Sequence, residues 1–195
     1  MGCKPVGSEV TPINTFLWLA PFAPPKGFTH VPRGGMCLCA FLFVVSSEKV
    51  LLGKYGEHPA WERLAGMDIQ RVKANAFGWT IPSSHLKFGE DPRKTARRIG
   101  EEILTLDQDL AYPEPCIKTF FYEPAAAPGE VHFDVLFLFE VSLGAGAEVQ
   151  MPPWYESLGW FDIGTVRCER FARQHEDVVD AWLKARSGAG AKDAS

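Results

Sequence analysis

Two adjacent glutamates, Glu101 and Glu102, are the residues of this 195-residue chain best suited to chemistry. Neighbouring carboxylates on one helix repel each other by roughly a few tenths of a kcal/mol unless a cation offsets the charge. Hard divalent cations take oxygen ligands, and a bound Mg²⁺ lowers the pKa of a coordinated water. The pair therefore predicts either a metal anchor or a solvated helix face that Arg97 and Arg98 neutralise.

A loop followed by a helix must position these glutamates. A strand is predicted to end at Ser84, and a loop with Gly89 and Glu90 follows it. Asp91 is a favourable N-cap and Pro92 suits the first helical position. The helix is predicted to run to about residue 104, and its narrow apolar stripe consists of Ala96, Ile99 and Ile103.

This loop and helix resemble the Nudix box. In that family the box runs from a Gly through a Gly-Glu loop into a helix with Arg-Glu, an aliphatic residue, any residue, Glu-Glu and a closing Gly. The resemblance implies a Nudix-type α/β/α sandwich with a mixed central sheet. It also implies Mg²⁺ or Mn²⁺ on the helix carboxylates, and hydrolysis of a nucleoside diphosphate linked to another moiety.

The preferred register of the box takes Arg97 as its arginine. Glu101 and Glu102 are then the Glu-Glu pair, so both are expected to bind the metal and to serve catalysis. Glu90 and Arg97 are expected to form an ion pair that pins the loop onto the helix. Arg98 then replaces a metal ligand, and the spacing from Glu90 is one residue short.

A second register takes Arg98 as the box arginine. It removes the gap, but it puts Ile99 and Ile103 at two positions where the family has carboxylates. The first register is preferred because it keeps two glutamates. The lost carboxylate supports an alternative function, a catalytically impaired Nudix-fold module that binds a nucleotide or a protein partner.

Other polar residues near the box are weaker candidates for substrate contacts. The residues expected to contact substrate are His85, Lys87, Arg98 and Glu156. His132 and Asp134, at a strand end, are a further source of a ligand or a base. Each of these residues taken alone also fits an ordinary surface, loop or strand-end position.

Cys37 and Cys39 lie in the most apolar run of the chain. The pair has the spacing of half a metal site, but no second Cys or His pair at ligand spacing completes it. Free buried thiols on one face of a strand are the prediction, which suits a reducing compartment and a cytoplasmic location.

The apolar runs Met36–Val45 and Val131–Val141 predict strands buried on both faces, which need cover on both sides of a sheet. The chain is divided into a Pro/Gly-rich N-terminal arm (1–34), a Nudix-like domain (35–186) and a flexible tail (187–195). Within the domain, 57–78 is interpreted as an insertion that lies over the surface.

The charge and hydropathy of the chain restrict the classes of partner that it is expected to bind. With 20 basic and 24 acidic residues the formal charge is −4, which argues against a broad electrostatic grip on nucleic acid or anionic lipid. RNA binding through the basic face of the box helix is a third, weaker hypothesis, because those cations neighbour glutamates. No apolar run reaches membrane-spanning length. The expected partner is a small nucleotide diphosphate derivative, and a homodimer is left open.

Overall fold

The structure is a computed structural model, and it describes residues 35–87, 89–106, 110–123, 129 and 131–190. The predicted N-terminal arm, 1–34, lies outside the described residues. The strands are β1 (Met36–Ser46), β2 (Lys49–Tyr55), β3 (Ser83–His85), β4 (Cys116–Tyr122), β5 (His132–Ser142) and β6 (Tyr155–Asp162). The helices are α1 (Ala60–Ala65), α2 (Ile69–Asn75), α3 (Pro92–Arg98) and α4 (His175–Gly190), with a π-helical turn at Ile99–Ile103 and a 3₁₀ turn at Val166–Cys168.

The described strands form one mixed sheet. Its order is β4-β5-β1-β2-β6, and β3 pairs with β1 beside that path. β1 and β5 run parallel, whereas β1 is antiparallel to both β2 and β3. This topology confirms the predicted α/β class with a mixed central sheet.

The sheet is buried on both faces because the side chains of β1 alternate between two cores. Ala40, Leu42 and Val44 pack on the same side as the box helix. Phe43 packs on the opposite side, where its ring stacks on Trp182 of α4 at a centroid distance of 4.3 Å. An uninterrupted apolar run is therefore needed in the central strand, and the prediction of two-sided burial is confirmed for β1. In β5, Phe133, Val135 and Phe137 are only partly buried.

The segment 57–78 does not lie over the surface, so that prediction is wrong. It forms α1 and α2, and it buries Trp61, Leu64, Met67 and Val72 in the core beside the box helix. Trp61 also donates its indole N–H to the carbonyl of Trp154 at 2.9 Å. The two helices are short, so a few large side chains anchor them and no long apolar stripe appears in the sequence.

The C-terminal end of the described chain also differs from the prediction. The sequence predicted a flexible tail from residue 187, but α4 begins at His175 and continues to Gly190. Residues 187–190 are therefore helical, and 191–195 lie outside the described residues. None of the helices in the described part of the chain is long and apolar enough to span a membrane. A cytoplasmic location stays a prediction.

Candidate functional site

A buried ion pair between Glu90 and Arg98 joins the loop to the helix. The Arg98 Nε donates to Glu90 Oε1 at 3.0 Å, and Nη2 donates to Oε2 at 2.9 Å. The side chains are 8% and 14% exposed. This two-point geometry is the strong form of an arginine–carboxylate interaction, because both hydrogen bonds are charge-assisted.

The remaining hydrogen bonds of this pair hold the strand end and the loop in place. Arg98 donates to the hydroxyl of Ser84 at 3.1 Å and to the carbonyl of His85 at 2.9 Å. Glu90 accepts from the backbone N–H of Lys87 at 3.0 Å and from the hydroxyl of Thr95 at 2.7 Å. We call Ser84, Glu90, Thr95 and Arg98 the loop frame.

The loop frame fixes the ionisation of Glu90. Burial opposes the charged form, but hydrogen bonds from Arg98, the Lys87 N–H and Thr95 outweigh it and lower the pKa of Glu90 to about 2. Glu90 is therefore a carboxylate at neutral pH. The negative charge of Glu90 maintains the ion pair with Arg98 that joins the loop to the helix.

The predicted ion pair between Glu90 and Arg97 is wrong. Successive helical residues point about 100° apart, so only one of two neighbouring arginines faces the loop. Arg98 takes that place, whereas Arg97 is exposed and lies over the ring of Tyr112 at 5.6 Å. The expected contact of Arg98 with a substrate or a metal is also wrong, because its side chain is 8% exposed and pairs with Glu90.

The two glutamates of the box helix lie in the π-helical turn after α3. This turn closes with a hydrogen bond from Leu104 N–H to the carbonyl of Ile99 at 3.0 Å. Glu101 is exposed, and Glu102 pairs with Arg63 at 3.1 Å with its side chain 42% exposed. The two glutamates are therefore accessible to solvent, and an exposed pair of this kind contributes little to stability.

A second polar cluster lies at the beginning of β1, on the face turned toward α4. Cys37 and Cys39 are buried, and their sulfurs lie 3.1 Å apart. His85 of β3 pairs across the strands with Cys39. A hydrogen bond from Cys37 lowers the pKa of Cys39 to about 6 against the effect of burial, and His85 contributes in the same direction. We call Cys37, Cys39 and His85 the thiol–histidine cluster.

Two more residues predicted as candidates lie beside this cluster. Asp134 pairs across the parallel strands with Cys37, and its carboxylate lies 3.1 Å from His132 Nε2. His132 and Asp134 are thus close to the thiol–histidine cluster, on the sheet face opposite the box helix. The proximity of these groups was not predicted from the sequence, because they lie on three strands that are far apart along the chain.

The architecture of the chain is shared with solved structures. No protein-family model and no curated protein sequence matches the chain. Among solved structures, an Ap4A hydrolase binary complex from C. elegans is 18% identical, with 78% of this chain and 98% of that chain covered at a TM-score of 0.53. This chain has the Nudix fold.

Two further structures support the same fold. The E. coli dihydroneopterin triphosphate pyrophosphohydrolase is 14% identical and covers 77% of this chain and 96% of its own, at a TM-score of 0.53. A MutT protein from Methanosarcina mazei Go1 is 10% identical and covers 80% of this chain and 99% of its own, at 0.54. At these low identities the similarity shows the fold, and it does not identify a substrate for this chain.

The ion pair of Glu90 with Arg98 favours the ungapped register of the box. With Arg98 as the box arginine, Ser84 stands at the leading Gly position and Thr105 at the closing Gly position. Thr105 has a φ of 51°, the left-handed conformation that favours glycine. The backbone of a glycine position is thus retained although its residue is not.

In this register most of the metal-binding set of the Nudix helix is missing. Ile99 and Ile103 occupy two of the carboxylate positions, and both are fully buried in the core. Glu102 is the carboxylate that remains, and Glu101 falls at the position where any residue is allowed. An aliphatic side chain offers no oxygen to Mg²⁺ or Mn²⁺. The residues of this helix therefore do not fit the metal set that the family implies.

The other residues predicted to contact substrate have different surroundings. Lys87 donates its backbone N–H to Glu90 of the loop frame, and its side chain is partly exposed. Glu156 is exposed on the edge strand β6. His85 belongs to the thiol–histidine cluster. Contacts of Lys87 and Glu156 with a substrate stay predictions.

Proposed function

We propose that this chain is a Nudix-fold protein that binds a nucleoside diphosphate derivative without metal-dependent hydrolysis. One observation carries the proposal, the ion pair of Arg98 with Glu90. It sets the register in which Ile99 and Ile103 replace carboxylates. Both isoleucines are part of the core, so the helix cannot present an alternative ligand at these positions without being repacked.

The loop and its basic surroundings support binding. Hydrogen bonds of the loop frame hold Lys87 and Glu90 beside the box helix, so these two residues are positioned before any ligand arrives. The exposed side of α3 carries Lys94 and Arg97, and also Arg93, which is paired with Glu114. Arg63 is 62% exposed and is paired with Glu102. Exposed cations near these positioned residues suit a diphosphate, which carries negative charge at neutral pH.

The second candidate is the metal-dependent hydrolase that the sequence suggested. In it Glu101 and Glu102 hold Mg²⁺ or Mn²⁺, and the substrate is a nucleoside diphosphate linked to another moiety. One observation favours it, the accessible carboxylate of Glu102 at a retained ligand position. It requires hydrolysis that depends on the metal and on Glu102.

A paired assay of binding and turnover separates the candidates. The full chain is titrated by calorimetry with ADP-ribose, a nucleotide sugar and a dinucleoside polyphosphate, first in EDTA and then with Mg²⁺ or Mn²⁺. Cleavage of each ligand is followed in the same samples by chromatography of the nucleotide products, because hydrolysis of the diphosphate linkage yields two phosphorylated fragments. The proposal expects saturable binding in EDTA and no cleavage above the background without protein.

Matched variants sharpen the assay. Lys87→Ala is expected to weaken binding about tenfold, since it removes one cation from the loop, whereas Lys184→Ala on α4 should change nothing. Metal-dependent cleavage that disappears in Glu102→Gln and persists in Glu148→Gln would establish the hydrolase instead. Absence of binding by any of these ligands would reject the nucleotide part of the proposal.

A further inference from the structure

The thiol–histidine cluster brings three soft or borderline metal ligands to one point in the sheet. The sulfurs of Cys37 and Cys39 and a ring nitrogen of His85 all lie within 4.8 Å of one another. Cys37 and Cys39 are 2% and 7% exposed, so water competes little for the same positions. The cross-strand pairing of Cys39 with His85 fixes the imidazole beside the sulfurs.

The donor set is selective for a transition metal. Thiolates and imidazoles suit zinc and copper, whereas Mg²⁺ and Ca²⁺ take oxygen ligands. In the zinc sites of enzymes, three protein ligands leave the fourth position to water or a substrate. Two sulfurs on a tetrahedral zinc lie roughly 3.8 Å apart, given Zn–S bonds of ~2.3 Å. The observed 3.1 Å separation of Cys37 and Cys39 needs only a small rotation of the side chains to reach it.

A disulfide between the same cysteines is a poorer use of this geometry. Cys37 and Cys39 are two residues apart within β1, where each residue advances about 3.3 Å. Their Cα atoms are then separated by roughly 6.6 Å, near the upper end of the range that a disulfide spans. β1 pairs with β5 on one side and with β3 on the other, which keeps the strand from contracting.

We propose that Cys37, Cys39 and His85 form a zinc site on the sheet face opposite the box helix. Cys37 and Cys39 face the core beside α4, whereas the box helix packs on the other face, so this site is separate from the Nudix box. The proposal does not rest on nucleotide binding. Its ligands come from two strands, so the metal also fastens the short β3 to β1 at the point where the loop of the box begins.

Cobalt titration of the full chain tests the proposal. The protein is reduced, stripped of metal and titrated with Co²⁺, whose thiolate complexes absorb in the near ultraviolet and whose tetrahedral complexes absorb strongly in the visible range. One equivalent of Co²⁺ is expected to produce both bands, and one equivalent of Zn²⁺ should abolish them. A folded chain, judged by circular dichroism, that shows no such bands would overturn the proposal.

Variants assign the bands to the cluster. Cys39→Ser and His85→Gln are each expected to weaken Co²⁺ binding at least 100-fold. Cys116→Ser on β4 and Cys168→Ser, which alter thiols outside the cluster, should leave both bands intact. His85→Gln alters no buried thiol, so it keeps the test valid where the serine variant fails to fold. Binding that survives His85→Gln in a folded chain, or a Cys37–Cys39 disulfide found by mass spectrometry in place of metal binding, would contradict the proposal.

Discussion

At the scale of single residues, the ionisation of Glu90 makes the stability of the fold depend on pH in the acid range. Its pKa of about 2 lies below the ordinary glutamate value of ~4.3, so the native state binds fewer protons than the unfolded chain between these values. The stabilisation is therefore present above about pH 4.3 and is lost as the pH falls toward 2. The shift corresponds to roughly 3 kcal/mol.

Glu90→Gln tests this linkage. The variant keeps the shape of the side chain but removes its charge, and it leaves the Arg98 guanidinium buried without its ion pair. We expect the free energy of unfolding at pH 7 to fall by on the order of 3 kcal/mol, and its decline between pH 4.3 and 2 to become shallower. Urea unfolding at a series of pH values measures both. Glu114→Gln, on an exposed glutamate, is the control, and equal pH profiles for the two variants would contradict the assignment.

Thr105 offers a second test, of the backbone strain at the closing glycine position of the box. Its left-handed φ of 51° is unfavourable for a β-branched residue, and its side chain is exposed. Thr105→Gly should raise the free energy of unfolding by about 1 kcal/mol, because relief of the backbone outweighs the entropy that glycine adds to the unfolded chain. Thr105→Ala, which keeps a Cβ, should gain much less. Thermal unfolding of the three proteins decides, and a glycine variant less stable than the parent would count against the strain.

The residue scale also shows where sequence reasoning stopped. Asp91 and Pro92 were correctly predicted to begin the box helix, since capping is a local effect. The choice between Arg97 and Arg98 was wrong, because the preference for keeping two glutamates outweighed the ungapped spacing. The thiol–histidine cluster was missed because His85 reaches Cys39 only through strand pairing, and no spacing rule for metal ligands covers it.

At the scale of elements, the strands were the most predictable part of the molecule. β1 was predicted as Met36–Val45 and ends one residue later, at Ser46. β5 was predicted as Val131–Val141 and is shifted by one residue at both ends, to His132–Ser142. Long apolar runs specify central strands because both faces must be buried. The helices α1 and α2 were not predicted, since each is too short to show a periodic stripe and is fixed by its contacts with the rest of the core.

The role of α1 and α2 in the core can be measured directly. Leu64 is 1% exposed, whereas Ile69 is 39% exposed. Leu64→Ala should lower the free energy of unfolding by about 2 to 5 kcal/mol, because it leaves a cavity among packed side chains. Ile69→Ala, a truncation of similar size at the surface, should cost under about 1 kcal/mol. Chemical denaturation compares them, and equal losses would restore the interpretation of 57–78 as a surface layer.

At the scale of the whole molecule, the exchange of carboxylates for isoleucines changes what stabilises the fold. Ile99 and Ile103 are fully buried in the core beside the sheet, and burial of such a side chain is worth roughly 1.5 to 3 kcal/mol. A helix with glutamates at these positions would carry charges that a bound cation must offset. This helix therefore packs onto the sheet through apolar contacts at positions that would otherwise face a metal.

A testable consequence is that Mg²⁺ alone should stabilise the native state very little. A ligand that binds the native state stabilises it in proportion to the logarithm of its concentration over its dissociation constant. With Glu102 as the carboxylate at a retained ligand position, about 5 mM Mg²⁺ should raise the melting temperature by less than about 1 °C in the absence of nucleotide. Scanning calorimetry with and without Mg²⁺ measures this shift, and Glu102→Gln should leave it unchanged. A larger shift that disappears in Glu102→Gln would show that Glu102 holds the metal despite the two isoleucines, and it would favour the hydrolase over the binding protein.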